Sequence, residues 1–296
     1  MKLLIQPDDG MRPLVSAIQL AKATIDQVIF RFDLPQMEKA LQAAVLRGVV
    51  VRTLVAHTNQ SGERKLRELE QRLLAEGLMV ARTDGDLVRY HSKIMIIDRR
   101  TLYLLGFNYT KADIQNSRSF GLVIKKRKLV QEAVKLFEAD VTRQAYSAGC
   151  ADFVVSPTNA RQRLAAFIRG ARRELLIYDP KLSDPMMLRL LQERMKAGVE
   201  VRVLGRAGKR GAFLTVQKLP RIRLHVRALM RDGRLAFVGS QSLRAIELDS
   251  RREVGVIVRD PKVVKRLHAT FEADWALTPL AQVQTAAHAG RTDAAA

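Results

Sequence analysis

The chain has 296 residues, 47% of them hydrophobic, with 51 Lys and Arg against 30 Asp and Glu, a formal net charge of +21. That length holds roughly two ordinary domains, and the charge excess points to anionic partners, nucleic acid or an anionic lipid surface, without choosing between them. The lone Cys150 excludes an internal disulfide framework, and nowhere does an uncharged apolar run of about 18 residues offer a membrane-spanning helix.

Asp8 and Asp9 follow the first residues too closely for a signal peptide, so a cytoplasmic protein, at most peripheral to a membrane, is expected. In chain order, residues 3–7 read as a short strand. Leu14, Ile18, Ala21 and Ile25 then recur at helical spacing. A buried-strand run at 28–32 precedes a helix at 37–46 that stops at Gly48, a residue suited to a C-terminal cap, and a strand at 49–55. Residues 61–76 form a charged amphipathic helix with Leu66, Leu69, Leu73 and Leu74 on one face. Strands at 101–105 and 121–124 and a helix at 129–142 close this first unit.

The second half writes the same series again. Strand 153–157, a helix through Leu164, Ile168 and Ala171, strand 175–178, helix 186–195 ending at Gly198 and strand 199–204 follow their counterparts at offsets near 150. The offset then falls to 134, because the short basic segment 206–221, expected to be a loop flanking the site, stands where the first half has its extra helix. That segment carries Arg206, Lys209, Arg210, Lys218 and Arg221. Strands 235–238 and 254–258 and helix 261–275 complete the copy, with Phe271 and Trp275 as core anchors. Alternating strands and helices written twice argue for an α/β protein of two layered repeats with mixed sheets, related by a pseudo-twofold axis. The expected division is 1–148, 149–278 and a disordered Ala-rich tail at 279–296.

The clearest sign of duplication is the stretch around His91. His91, Lys93 and Asp98 recur 134 places later as His225, Arg227 and Asp232, and Asn108, Arg118 and Gly121 as Ser242, Arg252 and Gly255. At the same offset, the residues from Phe137 through Asp140 repeat as those from Phe271 through Asp274. On a strand, positions i and i+2 share a face, so His91 and Lys93, and likewise His225 and Arg227, are expected to project together into a cleft. His57, His268 and His288 lack any repeated partner and read as structural.

Two copies of H-x-K-x4-D in register, each trailed by a small-residue turn and an Arg ahead of a strand, resemble the phospholipase D superfamily, which includes cardiolipin synthases and metal-independent nucleases. The resemblance runs from about Leu3 to Trp275. It implies phosphodiester chemistry through a covalent phosphohistidine, with no metal or other cofactor. A phosphodiester needs a nucleophile, a proton for the leaving oxygen and neutralisation of charge at phosphorus; two imidazoles supply the first two. On this basis His91 is the expected nucleophile and His225 the general acid, then base. Lys93, Asn108, Arg227 and Ser242, with Ser240 in the same turn, bind or orient phosphate. Asp98 and Asp232 complete the catalytic motifs, as braces of loops rather than reacting groups.

The second copy departs from the pattern. Arg227 stands where the family has Lys, and Gly239-Ser240-Gln241-Ser242 lacks the family's Asn. The acidic residue that the family often places after the Arg is present only as Glu253, with Ser119 its counterpart, and Glu253 is expected to orient His91 across the interface. Three readings stay open: an enzyme acting on phospholipid headgroups, a nuclease of the same superfamily, and a degenerate polyanion-binding module. With both motifs on one chain, a monomer is expected.

Overall fold

The computed structural model describes residues 1–57 and 63–283. Its first half runs β1 (Lys2–Gln6), α1 (Arg12–Leu20), β2 (Thr24–Ile29), α2 (Pro35–Leu46), β3 (Val50–Val55), α3 (Glu63–Ala75), β4 (Met79–Arg82) and β5 (Arg89–Tyr90). It continues through β6 (Ile94–Ile97), β7 (Thr101–Leu105), α4 (Lys111–Gln115), β8 (Ser117–Ile124) and α5 (Arg127–Thr142). The second half runs β9 (Phe153–Ser156), α6 (Ala160–Arg169), β10 (Glu174–Leu182), α7 (Pro185–Lys196), β11 (Glu200–Ala207), β12 (Thr215–Gln217) and β13 (Arg223–Leu224). It ends with β14 (Arg227–Arg231), β15 (Leu235–Gly239), α8 (Ala245–Asp249), β16 (Arg251–Val258) and α9 (Pro261–Ala276).

The protein is α/β, with two mixed sheets of equivalent order, β1-β8-β7-β6-β2-β3-β4 and β12-β11-β10-β14-β15-β16, the latter flanked by β9 on β16. In both halves the strands joined through the longer helices α2 and α7 pair in parallel, β2 with β3 and β10 with β11, and the hairpins β6/β7 and β14/β15 are antiparallel. Local chemistry explains the helix ends. Proline opens α2, α7 and α9, the Asp184 carboxylate accepts the Met187 N–H at 3.0 Å, and Gly48 and Gly198 both take φ +84° after their helices.

One apolar core joins the two halves. Ile94, Leu104 and Leu122 of the first sheet, Leu176, Ala228 and Val256 of the second, and Phe137 of α5 and Phe271 of α9 belong to a single cluster. Each Ile, Leu, Val or Phe among them, once fully buried, contributes about 1.5–3 kcal/mol, so the halves stabilise one another. Two reciprocal ion pairs cross the same boundary: Arg118 grips Asp274 with Nε and Nη2, both at 3.0 Å, and Arg252 reaches Asp140 at 3.0 and 3.1 Å. Both pairs are displaced by 134 positions, so the duplicated Arg of one copy holds the duplicated Asp of the other.

Several expectations need correction. Ile25 lies in β2, not in the first helix; β2 starts and ends earlier than the run 28–32. Strand β4 carries no alternating pattern of its own; its register comes from pairing with β3. Strands β8 and β16 begin at Ser117 and Arg251, so Arg118 and Arg252 lie inside the strands and not ahead of them. Leu66, Leu69 and Leu73 of α3 are buried but Leu74 is 50% exposed, because it sits one step round the helix from Leu73; Ser61 and Gly62 fall outside the described residues. Segment 206–221 is not a plain loop, since β12 adds to β11 in parallel. Residues 279–283 are helical, with Leu280 packed on the shared core, whereas 284–296, including His288, lie outside the described residues.

Candidate active site

Each motif sits where the chain changes sheets. β5 pairs in parallel with β16, Arg89 opposite Arg251 and Tyr90 opposite Arg252, and then the chain returns to its own sheet as β6. Likewise β13 pairs with β8 of the first half before β14 rejoins the second sheet. The His91 N–H therefore donates to the Arg252 carbonyl at 2.8 Å, and the His225 N–H to the Arg118 carbonyl at 3.0 Å. The expected H-x-K strand is not there: residues 91–93 form the link between two strands of different sheets. His and cation are brought together by a fold-back, Lys93 Nζ donating to the His91 carbonyl at 2.6 Å and Arg227 Nη1 to the His225 carbonyl at 2.9 Å.

The two imidazoles are oriented differently. Both carboxylate oxygens of Glu253 lie 3.0 Å from His91 Nδ1. An Nδ1–H donated there leaves the Nε2 lone pair free. Phe30 holds the ring edge-on at 4.8 Å. At the matching position of the other copy, Ser119 Oγ stands 3.5 Å from His225 Nδ1, and Asp113 Oδ2 stands at 3.6 Å. Neither ring is sealed: the side chains keep 10% and 13% of their surface exposed.

The turns bearing Asn108 and Ser242 are fixed by acids one helical turn later. Asp113 accepts both the backbone N–H and the side-chain amide of Asn108, at 2.8 and 2.7 Å, leaving the amide oxygen Oδ1 buried without a partner. Glu247 accepts the Ser242 N–H at 2.8 Å. Ser240 Oγ accepts the Val254 N–H at 3.1 Å, next to Glu253. Gly106 lies where the halves meet: a Cβ there would come within 2.8 Å of the Phe120 carbonyl.

Burial and crowded cations set the protonation states. Burial first, then Lys93 and Arg227, pushes His91 well below its ordinary value. Burial, then Arg227, does the same to His225, with Lys93 adding to it and Asp113 opposing. The same two cations thus act on both imidazoles. Lys93 is itself pushed down to about 7 by burial, against the pull of Glu253, and burial raises Glu253.

Asp98 and Asp232 do not belong with these groups. Asp98, at φ +51°, accepts the N–H groups of Lys22, Ala23 and Thr24, and Asp232 those of Arg172, Arg173 and Glu174. A four-residue strand separates Asp98 from Lys93, about 13 Å of chain. They brace turns, and those hydrogen bonds outweigh burial to hold both carboxyls low. His57 is exposed rather than packed in a core, and His268 faces Glu174 at 3.2 Å.

Sequence reasoning missed Asp113, Glu247 and Phe30. Asp113 and Glu247 were detectable, since they stand 134 apart like the rest of the duplicated set; Phe30 carries no repeat signal, its counterpart being Pro180. A cavity of about 290 Å³, lined by Phe30, Phe32, Leu66, Leu69, Asp113 and Arg223 among others, opens beside the cluster. Among the described residues no group of three His, Cys, Asp or Glu side chains is arranged to hold a metal, and no helix is long and apolar enough to cross a membrane.

The family model described as "Cardiolipin synthase, PLD-like domain" matches residues 14–141 and 164–275. The mitochondrial cardiolipin hydrolase of Canis lupus familiaris is 28% identical over 131 residues, 44% of this chain and 50% of the relative. The chain thus spans about half the length of the curated relatives it matches. Polyphosphate kinase from Porphyromonas gingivalis superposes with a TM-score of 0.77 at 19% identity, covering 93% of this chain and 50% of that one. Phosphatidylserine synthase from Haemophilus influenzae Rd KW20 gives 0.68 at 12% identity, covering 93% and 85%. At these identities the two structures speak for the fold alone.

Proposed function

Because the chain belongs to the phospholipase D superfamily through two copies of the PLD-like domain, we propose that it is a phosphodiesterase that hydrolyses or transfers phospholipid headgroups through a phosphohistidine. In the first step the free Nε2 of neutral His91 attacks phosphorus. The bond to the leaving oxygen breaks, and that oxygen takes a proton from His225. In the second step His225 removes a proton from water or an alcohol, whose oxygen attacks phosphorus and releases His91. Lys93, Arg227, the Asn108 amide and the Ser242 turn neutralise the non-bridging oxygens as charge builds. Glu253 keeps His91 in the reactive tautomer and stabilises its cationic, phosphorylated form.

The observation that carries this reading is the unequal pair: one imidazole held by a carboxylate at 3.0 Å, the other beside a hydroxyl at 3.5 Å, with two shared cations between their electrostatic environments. The lipid assignment draws on the family description and the named hydrolase relatives. Peripheral contact through the basic surface would bring the site to an anionic leaflet.

The test incubates purified protein, with EDTA present, with vesicles of phosphatidylglycerol or phosphatidylcholine and separately with single-stranded and plasmid DNA. Headgroup release abolished in His91→Ala and in His225→Ala supports the proposal. The net charge of +21 favours one competing outcome, EDTA-resistant DNA cleavage, which would replace the lipid substrate with a nucleic acid. Binding of both polyanions without turnover would leave a non-catalytic module.

A further inference from the structure

Phe30 and Arg31, which line the cavity beside the cluster, map 150 positions on to Pro180 and Lys181, which line another. A second cavity, of about 360 Å³, is lined by Pro180 and Lys181 together with Arg206, Lys218, Arg223 and Leu224. Arg223 lines both, but the rest of the chemistry differs. Pro180 replaces Phe30 and Lys181 replaces Arg31, and where α3 closes the first cavity with Leu66 and Leu69, the basic segment closes the second. The acids Asp33 and Asp113 line the first; none lines the second. Arg52, Arg118, Arg161, Arg202 and Arg252 are all held by carboxylates. Lys181, Arg206 and Lys218, in contrast, have no ion-pair partner within 4.0 Å among the described residues.

Three unpaired cations around one concavity repel each other, and an anion relieves that repulsion. The wall is built rather than incidental: the Asp179 carboxylate holds the Lys181 N–H at 2.8 Å and the Leu243 N–H at 2.6 Å, tying the cavity to the Ser242 turn. Arg223 and Leu224 lead straight into His225. We propose that this cavity binds a second phosphate of the substrate, so that the protein acts on phospholipid diesters in which one arm bears a further phosphate group. The proposal rests on the reading of the His91 and His225 cluster as the phosphodiester site, and it adds the arm specificity. From Arg223 to His225 the extended chain advances about 7 Å, within the reach of tripolyphosphate but not of orthophosphate.

The experiment compares orthophosphate and tripolyphosphate by titration calorimetry in the full chain and in a Lys181→Ala, Arg206→Ala, Lys218→Ala triple variant, all three positions being exposed. A second triple variant, Lys125→Ala, Lys126→Ala, Lys128→Ala, removes the same charge from an exposed helix start elsewhere. The expected result is a tripolyphosphate preference of about 10- to 100-fold, from three charge contacts, lost in the first variant and kept in the second. Titration with phosphatidylcholine vesicles containing phosphatidic acid separates a lipid-borne phosphate from a free one, and loss of either binding in the first variant supports the site. No preference in the wild type, or equal loss in both variants, overturns the proposal. So does a first variant that loses only single-stranded oligonucleotide binding, which would make the cavity part of a nucleic-acid track. Failure of the underlying phosphodiester reading has a different signature: orthophosphate would leave the His91 and His225 ring resonances unmoved.

Discussion

Lys93→Met separates the needs of the site from those of the fold. Lys93 is 3% exposed, and burial brings its ammonium from an ordinary 10.5 to about 7. Forcing that shift opposes folding by about 5 kcal/mol wherever the unfolded chain would keep the charge, since each pH unit corresponds to 1.36 kcal/mol. Methionine has nearly the same shape and no charge. It forfeits the 2.6 Å bond to the His91 carbonyl and leaves that acceptor unpaired, a loss of about 1–3 kcal/mol. The variant should therefore gain about 2 kcal/mol, a rise in Tm of about 4–8 °C, while losing turnover. Because a depressed ammonium binds fewer protons folded than unfolded, the wild-type penalty is complete below about pH 7 and fades as pH climbs towards 10.5. Calorimetric melts near pH 6, 8 and 10 should thus show a stabilisation that shrinks with pH. A lower Tm near pH 6, or a gain that does not vary with pH, would refute the reasoning.

Other consequences follow from the same geometry. Glu253→Gln keeps an acceptor near His91 Nδ1 but removes the charge, and kcat on bis(p-nitrophenyl) phosphate should fall about 10²- to 10⁴-fold; an unchanged kcat would remove Glu253 from the mechanism. His225 sits well below its ordinary 6.5 through burial and then Arg227, so in the free protein the acid form is lost as pH rises through that low value. Bound phosphate offsets Arg227 and Lys93, so the alkaline limb of kcat should lie at higher pH than that of kcat/KM; coincident limbs contradict this. Arg252→Ala strands Asp140, whose carboxyl burial already pushes up to about 6 against the pull of Arg252. Denaturant unfolding should register a loss of about 3–5 kcal/mol, most of it restored by combining Arg252→Met with Asp140→Leu, and no restoration would mean that the pair is not what joins the halves there.

The residues alone determine the class of fold and point to the duplicated members of the candidate site, but not to Phe30, whose counterpart is Pro180. Helix ends are written locally, in the prolines that open α2 and α7 and in the glycines that follow them, because capping depends on a few neighbouring groups. The repeated spacing of His91, Lys93 and Asn108 shows that the same unit is built twice, and even the asymmetry of Glu253 and Ser119 is legible once the copies are aligned. What depends on the meeting of the two halves is not. That β5 and β13 cross into the opposite sheets, that each histidine hangs from the other copy's Arg carbonyl, and that Arg118 takes Asp274 are contacts between segments more than 100 positions apart. They depend on how two sheet faces and two helices pack into one shared core, and no local periodicity carries that angle. The same packing sends Asp98 to the Lys22 turn and away from the chemistry, although the motif prints it seven residues from His91.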